Sequence, residues 1–240
     1  MLLPECIEKQ RQALVDNQGD LSVCGAIAFR GSFEFREIEH KLKNEACSLP
    51  YLVSYNSLLE EIKRGLCASY NRILISKEKV VGAEGFEVSL RAGEEGNLNL
   101  KLVTRFPNLK VINLSQKLLL KRIRDDSLAV QSKTQKEIPY SLLSIQNAAE
   151  YYLKKSNNNP NQDLKRFIFD KLYFQLIYAY RSSKLHYVPP AFEIWKSANL
   201  PSPPLNPLYH HLFHRYLGFW QAEELLDILR KFKNKLPIIK

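Results

Sequence analysis

The pattern of apolar positions predicts helices and strands in alternation over the first half of the chain. Apolar residues recur at helical spacing in three stretches, as Ile38, Leu42 and Ala46 do at intervals of four. The predicted helices run from Pro4 to about Asn17, from Arg36 to Cys47 and from Ser57 to Tyr70. Runs of β-type composition predict strands from Ser22 to Phe29, from Arg72 to Ile75 and from Lys110 to Leu114.

A β-hairpin is predicted in the middle of this half. Apolar and polar residues alternate from Phe86 to Leu90, and the segment Gly93 to Gly96 supplies a turn. After the turn, Leu98, Leu100 and Leu102 alternate with polar residues. We therefore expect the two arms to pair within a small antiparallel sheet.

The second half of the chain is predicted to be helical. Eight of the nine glycines lie in residues 1–96 and the ninth is Gly218, so the second half offers the long glycine-free stretches that suit helices. Asp163 is expected to cap the central helix. The predicted helices run from Ser115 to about Leu128, Tyr140 to Lys155, Asp163 to about Ser182, Pro190 to Ala198, Pro207 to Leu217 and Gln221 to Phe232.

These elements predict an α+β fold. Its N-terminal half combines helices with a small antiparallel sheet, and its C-terminal half is mainly α-helical. We predict a mixed half over residues 1–114 and a helical half over residues 115–240. At 240 residues the chain is long enough for two domains or for one shared core, and both arrangements stay open.

Neither a membrane span nor an export signal is predicted. No apolar run approaches the roughly 18–20 residues that a membrane-spanning helix needs, and the first apolar stretch ends at Pro4. The four cysteines, Cys6, Cys24, Cys47 and Cys67, are separated by 17, 22 and 19 intervening residues, with no CxxC pair. We interpret them as reduced, mostly buried thiols, with a regulatory or metal-linked role as the alternative. The expected location is intracellular, which means cytoplasmic, or nuclear in a eukaryote.

Charge is divided unevenly along the chain. Residues 1–96 hold 12 Lys and Arg against 15 Asp and Glu, whereas residues 97–240 hold 23 against 10. A field of one sign over one region attracts polyanions, so the basic back half predicts nucleic acid as a partner. Anionic membrane surfaces and acidic proteins compete with this interpretation, and so does a basic surface that serves solubility alone.

The densest basic stretch lies at the start of the second half. If residues 115–128 form a helix, Lys117, Lys121 and Arg124 share one face, with Arg122 beside them. Such a face can follow a phosphate backbone. The alternative is an ordinary solvated face, since Asp125 and Asp126 follow directly.

Aromatic residues crowd the predicted helix from Asp163 to Arg181. Twelve of its positions are apolar or aromatic, and basic residues lie between them. Aromatic rings interleaved with basic residues can stack nucleic-acid bases. The density of apolar positions favours a central core helix instead.

A histidine-rich face is predicted on the helix from Pro207 to Leu217. We expect His210, His211, His214 and Arg215 to face solvent, opposite an apolar stripe that includes Leu212, Tyr216 and Leu217. His210 and His214 have the spacing of two metal ligands, but the glutamate of the HExxH motif is missing and no third ligand can be assigned. We therefore assign no metal ligand and interpret this face as purely structural or as a contact to phosphate or a partner, with a metal site as the least favoured alternative.

The last predicted helix is amphipathic, and its apolar side is expected to dock on its own domain or on a partner. Lys233 and Lys235 follow as a basic tail. Phosphate-binding and nucleophile motifs such as GxxxxGK[ST], GxGxxG and GxSxG are missing from the sequence. We therefore assign no cofactor and no catalytic residue, while enzymatic activity stays open.

The resulting hypothesis is a non-catalytic nucleic-acid-binding protein, or a nucleic-acid-facing subunit of a complex. A protein-interaction subunit of an assembly is the second hypothesis, and a metal-dependent enzyme at the His210 and His214 face is the third. The sequence does not separate DNA from RNA, and no membrane contact is predicted. The residues predicted to contact nucleic acid are Lys117, Lys121, Arg122, Arg124, His210, His214, Arg215, Lys233 and Lys235.

Overall fold

A computed structural model describes residues 5–30, 38, 53–63, 72–123, 139–156, 161–182, 185–205 and 208–235. For residues 28–30, 53–56, 121–123, 208–209 and 232–235 it describes the backbone alone. The chain divides into two compact units, Met1–Gln135 and Lys136–Lys240. We call them the mixed unit and the helical unit and describe each by itself.

The mixed unit contains a four-stranded sheet in the order β2-β4-β1-β3. Strand β1 pairs parallel with β4, while the pairs β1 with β3 and β2 with β4 are antiparallel. The sheet is therefore mixed, and the expectation of a purely antiparallel sheet was wrong for its central pair. The strands are β1 Leu21–Arg30, β2 Val53–Ser57, β3 Ile73–Ile75 and β4 Lys110–Ile123.

Four helices of the mixed unit accompany this sheet among the described residues. The first helix packs on β1 and β4, and its buried Cys6 and Ala13 join a core with Cys24, Ile112 and Leu118. Apolar residues thus cover one face of the sheet, as amphipathic elements require. The helices are α1 Cys6–Asp16, α2 Leu58–Lys63, α3 Lys77–Gly82 and α4 Glu94–Arg105.

The predicted hairpin around residues 86–102 was wrong. Residues 94–105 form helix α4, and Gly93 is its N-cap. The intervening Asn97, Asn99 and Lys101 are as buried as Leu98 and the other leucines, so this helix is enclosed on most sides. Residues 97–103 are all buried, so the alternation of leucine with polar residues does not separate a buried face from an exposed one and did not mark a strand.

The predicted helix from Ser115 to Leu128 was also wrong within the described residues. Strand β4 continues to Ile123 beside β1, with the register Ala26 opposite Leu119 and Arg30 opposite Ile123. The boundary predicted at residue 114 therefore lies inside a strand. An irregularity in the β1–β4 pairing falls at Gly25, where a Cβ would lie 3.0 Å from the carbonyl oxygen of Gln116. Glycine lets the two backbones approach this closely.

The helical unit follows the sequence-based prediction closely. Its described residues form four α-helices, and a 3₁₀ turn, Leu185–Tyr187, precedes the third of them. Asn161 rather than Asp163 caps α6, since its side chain accepts a hydrogen bond from the Leu164 backbone N–H at 3.0 Å. The helices are α5 Tyr140–Lys155, α6 Gln162–Arg181, α7 Val188–Ser197 and α8 Leu208–Lys235.

Helix α8 is broken at Gly218. Its backbone there has φ 78° and ψ 176°, which divides α8 into the two helical segments that the sequence predicted. Positive φ is a region that glycine enters at little cost. The break directs Phe219 and Ala222 into the core, where they join the buried side of α6.

The α+β fold predicted from the sequence is confirmed. Among the described residues, no helix is long and apolar enough to cross a membrane. The predicted helix Arg36–Cys47 lies outside the described residues except for the buried Ile38, as does the part of the predicted helix Ser57–Tyr70 that follows Lys63.

Candidate functional site

The basic residues predicted at the start of the second half lie on a strand. Lys117, Lys121 and Arg122 belong to β4, so the shared helical face that joined Lys117 to Lys121 and Arg124 does not exist. Lys117 is exposed, but the side chains of Lys121 and Arg122 and the whole of Arg124 lie outside the described residues. Of these four residues the structure describes the side chain of Lys117 alone, so their contact with phosphate stays a prediction.

The histidine-rich segment of α8 is oriented differently from the prediction. His214 is only 4% exposed, whereas Tyr216 is 74% exposed and Leu212 and Leu217 are also exposed. Arg215 does face solvent, and His210 is half-buried. Because its ring is enclosed, His214 is not available to an external phosphate.

A hydrogen-bonded network accounts for the burial of His214. Its Nδ1 lies 2.6 Å from the Tyr173 hydroxyl of α6, and its Nε2 lies 2.8 Å from Glu223 Oε1 in the second segment of α8. Arg181 donates to both Glu223 oxygens at 2.9 Å, and Arg230 approaches Oε2 at 3.5 Å. The network thus joins α6 to both segments of α8 across the break at Gly218.

Glu223 is ionised within this network. Burial raises the pKa of the Glu223 carboxyl, but hydrogen bonds from His214 and Arg181 outweigh it and hold this pKa at about 2. Because an ionised Glu223 can only accept, we assign the proton of His214 to Nε2, so that the Tyr173 hydroxyl donates to Nδ1. Burial, together with the Glu223 charge, raises the pKa of Tyr173. Every polar atom of the His214 ring is therefore satisfied within the fold.

The two histidines that have the spacing of metal ligands make other contacts. His210 Nδ1 lies 3.3 Å from an Arg181 nitrogen, and burial, followed by the Arg181 charge, lowers the pKa of His210. Within the described ranges, no group of three or more His, Cys, Asp and Glu side chains is placed to hold a metal ion. The spacing of His210 and His214 thus serves the Glu223 network rather than a pair of metal ligands.

Helix α6 is buried on one side and exposes aromatic rings on the other. Phe174 is 46% and Tyr178 is 61% exposed, and the Lys171 ammonium lies 5.1 Å from the centroid of the Phe167 ring. These four residues recur at intervals of four, three and four, so they share one side of the helix. We call Phe167, Lys171, Phe174 and Tyr178 the α6 stripe. The interpretation of α6 as a central core helix did not single out this stripe.

A cavity of about 280 Å³ opens beside the break in α8. We call it the aromatic pocket. Two of the residues predicted to contact nucleic acid line this pocket, the buried His214 and the exposed Arg215. The side chains of Lys233 and Lys235 lie outside the described residues. The periodicity of the sequence does not predict which helices meet at this pocket. The pocket is lined by Tyr173, Phe192, Trp195, Pro201, Ser202, His214, Arg215, Gly218 and Phe219.

In comparisons with known proteins, no family model matches this chain and no curated protein is significantly similar to it. The residues themselves therefore carry the functional argument.

Proposed function

We propose that this protein binds single-stranded nucleic acid, without catalysing a reaction on it, through the α6 stripe of the helical unit. The observation that carries the proposal is that the exposed Phe174 and Tyr178 share one side of α6 with Lys171 and the half-buried Phe167. Stacking on such rings is tolerant of base sequence, since every base has a π-face. The basic residue supplies the accompanying contact to phosphate.

The charge of the helical unit supports a polyanionic ligand. Residues 136–240 hold 15 Lys and Arg against 8 Asp and Glu, a formal excess of seven positive charges. Two of the acidic groups on or near α6 are already paired, Asp170 with Arg166 at 2.8 Å and Glu223 with Arg181. A positive field of this kind raises the local concentration of nucleic acid and speeds its association.

The spacing of the rings favours a single strand over a duplex. Phe174 and Tyr178 are four residues apart, which is about 6 Å along a helix axis, and Phe167 lies about 10 Å before Phe174. Stacked bases in a duplex rise by only about 3.4 Å per step. Successive rings of the stripe therefore match bases that have been drawn apart, as a flexible single strand permits.

The proposal is tested by fluorescence anisotropy of labelled single- and double-stranded DNA and RNA at several salt concentrations. We expect log affinity for single strands to fall linearly with log salt, by about 0.7 per phosphate contact. The double variant Phe174→Ala, Tyr178→Ala should weaken binding by about 1–3 kcal/mol per ring with little change in slope. Lys171→Ala should reduce the slope by about one contact.

Matched controls separate the stripe from a general loss of apolar or basic surface. Phe86, in the mixed unit, is 45% exposed and so matches Phe174, and Lys196 of α7 is an exposed lysine outside the stripe. Phe86→Ala and Lys196→Ala should bind like the wild type. Equal affinity of the stripe variants and these controls would reject the α6 stripe as the binding surface.

A protein-interaction function is the second candidate, favoured by the first segment of α8. Leu212, Tyr216 and Leu217 are all exposed there, and exposed apolar clusters mark docking surfaces. If a protein docks on this face, the isolated chain should self-associate or bind an apolar dye. The variant Leu212→Ser, Tyr216→Ser should suppress that behaviour, whereas the α6 stripe variant should not.

A further inference from the structure

Four of the residues that line the aromatic pocket are aromatic, and their rings contact one another in a closed circuit. Tyr173 and Trp195 have centroids 4.6 Å apart, Trp195 and Phe192 are 5.8 Å apart, Phe192 and Phe219 are 5.3 Å apart, and Phe219 returns to Tyr173 at 5.7 Å. These residues come from α6, α7 and α8, so tertiary packing fixes the circuit. The volume of the aromatic pocket, about 280 Å³, lies just under the range of about 300–1,000 Å³ for small-molecule pockets and leaves room for one ring system.

The polar atoms at the pocket wall differ in their availability. The Tyr173 hydroxyl and both nitrogens of His214 are engaged in the Glu223 network, so these residues offer ring surface. Ser202 and Arg215 lie nearer to solvent. A ligand is therefore recognised mainly by stacking and shape, with a hydroxyl and a guanidinium as polar contacts.

Charge decides between two kinds of ligand that aromatic pockets bind. A circuit of rings can hold a quaternary ammonium group through cation–π attraction. None of the nine described residues that line this pocket is acidic, however, and Arg215 adds a positive charge. A guanidinium is instead suited to a phosphate, which it can contact with two parallel hydrogen bonds.

We propose that the aromatic pocket binds a planar aromatic ring that carries a phosphate, with the ring against Trp195 and Phe192 and the phosphate on Arg215. Two sources share this chemistry: a free nucleoside monophosphate and a single nucleotide of a bound strand. The proposal does not depend on the α6 stripe, because the stripe and the pocket use different residues. The aromatic pocket is therefore an additional site, which recognises the base of a single nucleotide.

The test uses the fluorescence of Trp195 in the full chain. Trp195 and Trp220 are its two tryptophans, so Trp220→Phe leaves Trp195 as the sole reporter. We titrate this protein with AMP, adenosine, inorganic phosphate and choline. AMP should change the emission and bind at least about tenfold more tightly than adenosine, since the phosphate gains a charge-assisted contact. Phosphate alone and choline should leave the emission unchanged.

Two variants assign the signal to the pocket. Arg215→Gln should weaken AMP binding about tenfold and leave adenosine within about twofold of its original affinity. The exposed Arg91 of the mixed unit provides the control Arg91→Gln, which should bind both like the parent protein. Ser202→Phe should fill the cavity and abolish binding of both ligands, with the Trp195 unfolding curve confirming that the variant is folded.

Each alternative result overturns the proposal in a defined way. Tighter binding of choline than of AMP would make the pocket a cation cage. AMP binding that survives Ser202→Phe would place the ligand elsewhere, and emission unchanged by AMP at about 1 mM would mean that the pocket does not take a nucleotide.

A competition experiment between AMP and a labelled oligonucleotide identifies the source of the nucleotide. AMP that displaces a labelled oligonucleotide indicates that the pocket holds a base of the strand, whereas simultaneous binding indicates a free nucleotide. The variant Phe174→Ala, Tyr178→Ala should keep its AMP affinity, so failure of the α6 stripe and failure of the pocket give different results.

Discussion

Replacement of Glu223 by glutamine should destabilise the helical unit by about 3 kcal/mol. The substitution Glu223→Gln preserves shape but removes the charge that faces Arg181 at 2.9 Å and Arg230 at 3.5 Å. It also brings an amide N–H₂ among groups that all donate. Removal of one partner from a buried ion pair usually costs about 3–5 kcal/mol. The Arg181 side chain is 31% exposed, so water compensates part of the lost interaction. We therefore expect a loss at the lower end of this range, about 3 kcal/mol.

The shifted pKa of Glu223 leads to a similar magnitude. Its folded value of about 2, against an ordinary value of 4.5, corresponds to about 3 kcal/mol of stabilisation of the charged form. The Glu223 side chain is fully buried, but Arg181 and Arg230 are 31% and 41% exposed, so water screens part of this stabilisation. The contacts of Glu223 and the shift of its pKa therefore point to the same order of magnitude.

Urea unfolding followed by tryptophan emission measures this effect. Both tryptophans lie in the helical unit, so the signal reports that unit whatever the mixed unit does. A loss of about 3 kcal/mol should lower the midpoint by about 1.5 M at an m value of ~2 kcal/mol/M. Glu224→Gln, at the exposed neighbouring position, should stay within about 0.5 kcal/mol. A Glu223→Gln midpoint equal to that of Glu224→Gln would refute the structural role of the network.

The same pair of proteins should differ in its response to acid. Glu223 has a lowered folded pKa, so its stabilisation is complete above pH 4.5 and is lost as the pH falls towards about 2. Glu223→Gln has no such group to titrate. The difference in unfolding free energy between the wild type and the variant should therefore shrink over this window, and a constant difference would contradict the assignment.

Three further predictions concern glycine and cysteine. Gly218→Ala should destabilise the helical unit by about 1–2 kcal/mol in thermal unfolding, because φ is 78° there although a Cβ would meet only Gln221 Oε1 at 3.6 Å. Gly25→Ala should increase proteolysis of the mixed unit, because the Cβ would approach backbone atoms of Gln116 and Lys117 at 3.0 and 3.2 Å; unchanged cleavage rates would exclude this close approach. Cys6 should resist a thiol reagent until the protein unfolds, since burial, and then the neighbouring Cys24, raise its pKa to about 12. Mass spectrometry of labelled native protein would detect the contrary result.

The sequence predicts the helices of the helical unit well because local signals agree there. Tyr140–Lys155 was predicted with the bounds that the structure shows, and α6 differs by one residue at each end. Both helices are long, have strong periodicity and are bounded by polar or proline-containing segments. The observed N-cap of α6 is Asn161 and the predicted one was Asp163. Both residue types serve as N-caps, so this difference moves the start of the helix very little.

The errors in the mixed unit arise where tertiary contacts override local pattern. Leucines alternate in α4, but the residues between them are buried too, so the alternation marks no exposed face. In β4 the residues after Leu114 carry a helix-like pattern, yet pairing with β1, far away in the sequence, keeps them extended. Strand formation depends on such partners, which a window of neighbouring residues does not contain.

The candidate surfaces follow from the same physics. Periodicity identifies which residues share a stripe of a helix, but long-range partners decide which stripe is buried. His214 enters the core because Tyr173, 41 residues before it, and Glu223, 9 residues after it, satisfy both ring nitrogens. Burial of His214 leaves Leu212 and Tyr216 in solvent, just as partial coverage of α6 leaves Phe174 and Tyr178 exposed. Exposed apolar residues of this kind are not required by the fold, which is why a ligand or partner is sought at them.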